Sequence, residues 1–174
     1  MIYIVRHGET DWNKEHRIQG HKDIPLNEQG IKDAYVVKDK LKDIKFDIVF
    51  SSPLKRAYET AKIITNNDIT IDNRLIERGN GTLEGCNDIN LISTIDWDSE
   101  DNPYGFEKLS DLSKRTREFL EEVLSKYKGK NILIVTHAGI GIQIRTYFEG
   151  PLPEGKDVTF YRLRNGEILT YDNN

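Results

Sequence analysis

A single cysteine, Cys86, stands in the chain, so no disulfide can form within it, and its neighbours show no metal-binding spacing. No apolar run approaches the roughly 18 residues that a membrane-spanning helix requires. Basic residues form no block, and the net charge of −4 is spread along the chain, which argues against nucleic acid as the main ligand. No Gly-x-x-x-x-Gly-Lys-Ser/Thr pattern occurs, which excludes a nucleotide P-loop. Neither a His-Glu-x-x-His run nor a Cys/His cluster marks a zinc site. Repeats, low-complexity tracts and linkers are missing, and the amino terminus enters an apolar segment with no room for a signal or transit peptide. The expectation is a cytoplasmic protein that uses neither membrane nor nucleic acid and carries no metal or cofactor.

What is present fits one globular domain over residues 1–174. The chain is 37% hydrophobic and 31% charged over 174 residues, enough for a sizeable core. Ile2 to Val5 reads as a buried strand, followed by a polar, turn-rich stretch over 11–26. Asn27 is a good N-cap, with Glu28 in the first turn, and Ile31, Ala34, Tyr35, Val37, Leu41 and Ile44 recur at helical spacing. Phe46 to Phe50 predicts a second strand, and Pro53 the first turn of a helix carrying Leu54, Ala57, Ala61 and Ile64. Ile69 to Leu75 alternates like a strand. Residues 76–108 read as a long functional loop with a short helix at most.

Leu109, Leu112, Thr116, Phe119, Leu120, Val123 and Tyr127 make the cleanest amphipathic helix, which Gly129 ends. Ile132 to Val135 predicts another strand, leading through His137 into a helix with Ile140, Ile144, Tyr147 and Phe148. Two last strands, near 158–163 and 167–171, flank Asn165-Gly166, a hairpin signal. Strands alternating with helices imply an α/β fold: a mostly parallel sheet with helices on both faces and one antiparallel edge.

The chemistry collects at strand ends. His7 follows the first strand, Arg56 the second, Glu77 the third and His137 the fourth, and Arg6 adjoins His7. In a parallel sheet those ends share one rim, where ligands bind. Two histidines, two arginines and a carboxylate suit a phosphoryl group, because guanidinium forks match phosphate oxygens. His137 also precedes a helix whose free N–H groups can add anion affinity. A metal site would need further ligands beside the histidines.

Arg6-His-Gly-Glu-Thr-Asp-Trp-Asn13 resembles the signature of the histidine phosphatase superfamily, the phosphoglycerate mutase-like proteins. Gln19-Gly20 with Asp23-Ile-Pro-Leu26 and Gly30, and Ser51-Ser-Pro-Leu-Lys-Arg-Ala57 with Thr60-Ala61, resemble its next blocks. Leu75-Ile-Glu77 with Gly81 and Glu84-Gly85, and Val135-Thr-His-Ala-Gly139, resemble its last two, in the same order. The resemblance implies a three-layer sandwich and a small phosphorylated substrate. It makes His7 the nucleophile that forms a phosphohistidine, and Glu77 the proton donor to the leaving oxygen and then the base for water. Arg6, Arg56 and His137 would hold the phosphoryl oxygens with Asn13. Thr10, Gln19, Gly20 and Arg78 are further substrate contacts.

His7 must be unprotonated at its attacking nitrogen, with the other nitrogen donating to a nearby backbone carbonyl. Adjacent arginines lower its pKa. The stretch from Cys86 to Leu109 is short, acidic and has Lys108 as its only basic residue, which favours a phosphatase over a mutase that must keep a dry site. The alternatives are mutase-type phosphoryl transfer and a non-catalytic phospholigand-binding module. Arg78 is the one mutase-like feature, and Ala138 stands where many relatives carry glycine. His16 and His21 read as solvated, Trp12 as packing under the loop, Cys86 as inert, and Asp96, Asp98, Glu100 and Asp101 as a solvated acidic run. Either a monomer or a homodimer is compatible, with the edge hairpin or Tyr147-Phe148 as pairing surfaces.

Overall fold

The computed structural model describes residues 1–99 and 101–174; Glu100 of the acidic run lies outside them. Eleven regular elements run along the described chain: β1 (Ile2–Arg6), α1 (Asp11–Lys14), α2 (Glu28–Leu41), β2 (Ile48–Ser51), α3 (Lys55–Ile64), β3 (Ile69–Ile71), α4 (Ile89–Ser93), α5 (Leu109–Lys126), β4 (Ile132–Thr136), α6 (Ala138–Glu149) and β5 (Ile168–Tyr171). The sheet has the order β3-β2-β4-β1-β5. β1, β2, β3 and β4 are parallel, and β5 runs antiparallel along β1 at the edge. This is the α/β architecture with one antiparallel edge that the alternation of elements predicts.

Side chains of β1 and β4 point alternately to the two faces. Ile2, Ile4, Ile132 and Ile134 pack with Leu112, Phe119, Leu120, Val123, Ile140 and Ile144, the inner sides of α5 and α6. Val5, Leu133 and Val135 pack with Val37, Leu41, Ala57, Ala61 and Ile64, the inner sides of α2 and α3. Both faces are covered, so the central strands are apolar throughout rather than half polar. On α2 the buried stripe is Gly30, Ala34, Val37 and Leu41. Ile31 and Tyr35, grouped with that face by spacing, are 42% and 54% exposed.

Several boundaries differ from the sequence reading. No strand forms near 158–163. Val158–Phe160 is a single 3-10 turn capped by Asp157, whose Oδ1 accepts from Thr159 N at 2.8 Å. Tyr161 and Leu163 are buried as the alternation suggests, but the edge of β1 is taken by β5, in the register Ile2↔Tyr171 to Val5↔Ile168. Asn165-Gly166 is therefore a turn leading into β5 and not a hairpin. The expected strand Ile69–Leu75 stops at Ile71, because the Asp72 side chain accepts from Arg74 N and winds Asn73–Leu75 into a 3-10 turn. The second strand begins at Ile48 and reaches Ser51. Pro53 precedes the N-cap Leu54 of α3 and lies outside the helix. The polar stretch 11–26 contains α1, held by a capping box between Thr10 and Asn13. Phe148 stacks on Tyr171 within the molecule, with ring centroids 4.2 Å apart.

One backbone contact joins the fold to the β1 exit. The loop at Gly8 and Glu9 lies directly on the first turn of α2. A Cβ built on Gly8 would sit 2.2 Å from Gly30 O, and one on Gly30 would sit 2.0 Å from Glu9 O. The clashes are with main chain, so no side-chain rotation relieves them. Gly30→Ala is expected to cost about 1–3 kcal/mol, the range for forced overpacking. Denaturant unfolding reads this as a lower midpoint at unchanged m; an unshifted midpoint would refute the contact.

Candidate active site

The sheet register assembles the site. Arg6 pairs with Thr136 and Ser51 with Val135, so the residues that follow, His7, His137 and Ser52, emerge side by side. The His7 and His137 rings lie 5.1 Å apart at an interplanar angle of 60°. Arg56 enters from the first turn of α3, and Arg6 is the last residue of β1. All four are buried: Arg6 is 7% exposed, His7 2%, Arg56 1% and His137 0%.

Each is fixed by main-chain carbonyls or a hydroxyl. His7 Nδ1 lies 2.7 Å from Gly8 O; a carbonyl only accepts, so the proton resides on Nδ1 and Nε2 is bare. Arg6 Nη1 donates to Leu163 O at 2.7 Å. Arg56 donates through Nη1 to Lys22 O at 2.7 Å and through Nη2 to Gly20 O at 2.8 Å. His137 Nε2 lies 2.7 Å from Ser52 Oγ. Among the described residues neither guanidinium pairs with a carboxylate, and Arg6 Nε, Arg56 Nε and His137 Nδ1 are buried with no partner. The cluster is thus positive and desolvated, with carboxylates acting on it only at longer range, Glu77 on both arginines and Asp23 and Glu84 on Arg56, a setting that favours an anion.

The charge state follows from the same burial. His7 is held well below the usual imidazole range, first by desolvation and then by repulsion from Arg6 and Arg56. Burial, more than the arginines named by the sequence, is the main cause. His137 is depressed likewise by burial, then by Arg56. Burial, with Arg162 beside it, brings Arg6 down to about 10, so it stays protonated at neutral pH.

Glu77 enters from the loop after the Asn73–Leu75 turn. Its carboxylate accepts from Gly139 N at 3.1 and 3.2 Å and from Arg78 N at 2.9 Å. The N–H at the start of α6 that the sequence offers to a phosphate is therefore engaged by Glu77. A side chain at Gly139 would collide with that carboxylate, its Cβ 2.5 Å from Oε1. The Glu77 carbonyl is clasped by His21 Nε2 at 2.8 Å and Arg115 Nη2 at 3.2 Å. Arg115 also pairs with Glu107 at 2.7 Å.

A cavity of about 750 Å³ is lined by Arg6, His7, Arg56 and Glu77 among others; His137, fully buried against the His7 ring, does not line it. Asn13, Gln19, Gly20 and Arg78 also line it. Thr10 does not; it is fully buried as the cap of α1, its hydroxyl 2.9 Å from Gln19 Oε1. Asn13 Oδ1 lies 3.2 Å from Thr10 N and 3.3 Å from Asn165 Nδ2, so its oxygen is engaged on the side of the loop. The Arg78 guanidinium donates to Glu107 O at 2.8 Å and Trp97 O at 2.7 Å and lies over the Phe106 ring. Trp12, expected to pack under the loop, lines the cavity, as do His16, Trp97 and Asp98. Asp96 and Asp101 are exposed and outside it.

Sequence reasoning missed several contributors. Ser52 passed as the end of a strand, although its place in the Ser51-Ser52-Pro53 block was the available signal. Asn165 passed as a turn residue; its amide donates to His7 O at 2.9 Å and Gly8 O at 3.2 Å, pinning the β1 exit from above. Arg162, exposed on the cavity wall, had no periodicity or motif to mark it.

The buried neutral histidines make stability depend on pH with a definite sign. Below the unfolded value near 6.5 the unfolded chain takes up protons that folded His7 and His137 refuse. Stability is therefore lost as pH falls from 6.5 toward the depressed folded values, by up to about 1.4 kcal/mol per pH unit for each histidine. Unfolding midpoints between pH 7.5 and 5 are expected to show this slope, reduced in His7→Gln. A variant slope equal to that of the natural chain would contradict the assignment.

Comparison with known proteins follows the same arrangement. A family model described as the histidine phosphatase superfamily (branch 1) matches residues 2–171. The chain is 37% identical to phosphoglycerate mutase-like protein 4 of Arabidopsis thaliana, over 97% of this chain and 82% of the relative. It is 36% identical to the uncharacterised phosphatase PhoE of Bacillus subtilis, over 88% and 79%. The solved structure of a phosphoserine phosphatase from Entamoeba histolytica, in complex with 3-phosphoglyceric acid, superposes with a TM-score of 0.79. That match covers 96% of this chain and 87% of the other at 30% identity. Matched by that model over nearly its whole length, this chain belongs to the histidine phosphatase superfamily, branch 1.

Proposed function

We propose that the chain is a phosphomonoesterase that hydrolyses a small phosphorylated metabolite through a phosphohistidine on His7. The observation that carries this is the 2.7 Å contact of His7 Nδ1 with Gly8 O, inside a buried cluster with two guanidiniums that form no ion pair among the described residues. With Nδ1 as the donor, Nε2 keeps its lone pair, which supports a nucleophilic role beside two guanidiniums that favour a dianion. In the first step Nε2 attacks phosphorus, the ester P–O bond breaks, and Glu77 gives its carboxyl proton to the departing alcohol oxygen. Charge developing on the equatorial oxygens meets Arg6, Arg56 and His137. A Ser52 hydroxyl that donates to Nε2 leaves the His137 proton on Nδ1, the buried atom without a partner, as a donor to the phosphoryl group in this reading. The engaged Asn13 oxygen leaves its NH2 group for the cavity, where it assists. In the second step Glu77 takes a proton from water, the water oxygen bonds to phosphorus as the P–N bond breaks, and phosphate leaves with the Nε2 lone pair restored.

Hydrolysis is favoured over transfer back to an acceptor by the cap, the 86–108 segment whose Ile89, Ile92, Trp97 and Asp98 line the cavity. Arg78, the one mutase-like cation near the acid/base residue, has its guanidinium engaged by the Trp97 and Glu107 carbonyls. Asp98 faces the cavity and opposes a second anionic group.

Leaving-group dependence tests the roles. With p-nitrophenyl phosphate, whose leaving group needs no proton, Glu77→Gln is expected to lower the first step little; with an alkyl phosphate the loss is about 10²–10⁴-fold. His7→Ala is expected to abolish both and to remove the acid-labile phosphoenzyme trapped by rapid quench. Activity surviving in His7→Ala refutes covalent catalysis there, and phosphoryl return to an acceptor in place of free phosphate refutes the phosphatase assignment.

Both histidines are committed to phosphoryl chemistry in this reading. Among the described residues no group of three or more His, Cys, Asp or Glu side chains could hold a metal ion. Dialysis against a strong chelator is therefore expected to leave kcat/KM unchanged; a loss restored by added divalent metal would overturn that expectation.

A further inference from the structure

The cavity is lined by two chemically distinct sets of residues. One is the cationic phosphoryl end, formed by the strand exits. The other is an apolar wall of Ile89 and Ile92 of α4, Trp97 of the 86–108 segment, Leu112 of α5, Ile142 of α6 and Val158 in the 3-10 turn. Polar groups along that wall are largely satisfied within the protein. Ser113 Oγ donates to Gln143 Oε1 at 2.6 Å, and Thr146 Oγ1 donates to Ile142 O at 2.9 Å. The Arg78 guanidinium is bound to cap carbonyls.

Two of the apolar residues stand at the mouth in water: Ile89 is 72% exposed and Val158 53%. An isoleucine and a valine from separate segments, both lining one cavity and both solvated, are covered when an apolar group enters between them. Among the charged residues on the cavity, Arg17 is bound to Glu15 and to the Gly85 carbonyl. Arg162 lies near the phosphoryl end, since its charge acts directly on Arg6, and Asp98 acts on Arg78. A polyhydroxylated alcohol would instead lose hydration against branched aliphatic side chains, with few free groups to replace it.

Resting on the phosphomonoesterase reading above, we propose that the alcohol portion of the substrate is apolar. The site takes phosphate monoesters of aliphatic or aromatic alcohols in preference to sugar phosphates or phosphorylated amino and hydroxy acids.

A homologous series of straight-chain alkyl phosphates, ethyl to octyl, isolates this contact, because the leaving alcohols differ little in acidity. kcat/KM is expected to rise about two- to fourfold per methylene until the chain passes Ile89 and Val158. Hexyl phosphate should exceed phosphoserine and 3-phosphoglycerate. Ile89→Ser/Ile92→Ser, both on a short surface helix, should flatten the rise. Inhibition constants for the matching alkylphosphonates supply the same slope without turnover. A flat or falling series in an enzyme that hydrolyses ethyl phosphate overturns the proposal, as does a preference for phosphoserine or 3-phosphoglycerate. Failure to hydrolyse any monoester refutes the phosphatase reading instead, and the alkylphosphonate slope then still decides whether the wall binds apolar chains.

Discussion

Buried positive charge without a carboxylate partner is the constraint on which the structure turns. Taking a guanidinium out of water is costly, and proteins normally offset the cost with a paired anion. Here Arg6 and Arg56 are oriented by the carbonyls of Leu163, Lys22 and Gly20. Carbonyls supply hydrogen bonds and direction while leaving the net charge in place. Carboxylates in those positions would satisfy the arginines better and cancel the potential that grips a phosphoryl group. The choice of neutral acceptors therefore keeps the site poised for an anion, at the expense of the free protein's stability.

The same carbonyls come from segments far apart in sequence, which explains why so much irregular chain is well anchored. Leu163 follows the 3-10 turn near the C-terminus, and Gly20 and Lys22 lie in the loop after α1. Asn165 adds a donor over the carbonyls of His7 and Gly8. His21 and Arg115 converge on the Glu77 carbonyl from opposite parts of the sequence. Loops that look unstructured by periodicity are thus ordered by the cluster they enclose. A site made this way is only as rigid as these long-range hydrogen bonds, since each loop has little regular structure of its own.

How much of this was legible in sequence depends on whether the signal is local. The parallel core was readable because Ile2–Val5 and Ile132–Val135 are short apolar runs whose exits carry histidines, and sheet topology brings such exits together. The stop of β3 was less readable. Asp72 capping Arg74 N overrides an alternating pattern that otherwise continues to Leu75. Residues 158–163 show the opposite error: alternation correctly marks Tyr161 and Leu163 as buried, but burial does not provide a ladder partner. That edge of β1 was already occupied by β5. Ser52 had only its Ser51-Ser52-Pro53 block to mark it and Asn165 had nothing, because their partners, His137 and His7, are distant in sequence and neither has a periodicity of its own.

Glu77 completes the electrostatic logic by being treated unlike the histidines. His7 and His137 are sealed from solvent and kept neutral by desolvation, whereas Glu77 is half-buried on the cavity wall, with its carboxylate aligned by two backbone amides. In the proposed mechanism the nucleophile has to be free of protons while the acid has to exchange them with water between its two steps. A fully buried carboxylate would be cut off from that exchange, and an exposed imidazole would be protonated too readily. The division between sealed histidines and an accessible carboxylate follows from where each chain segment ends. His7 and His137 leave central strands of the sheet, while Glu77 follows β3 at its border. Sheet position thus sets how much water each group meets, and in the proposed mechanism that access separates the nucleophile from the acid.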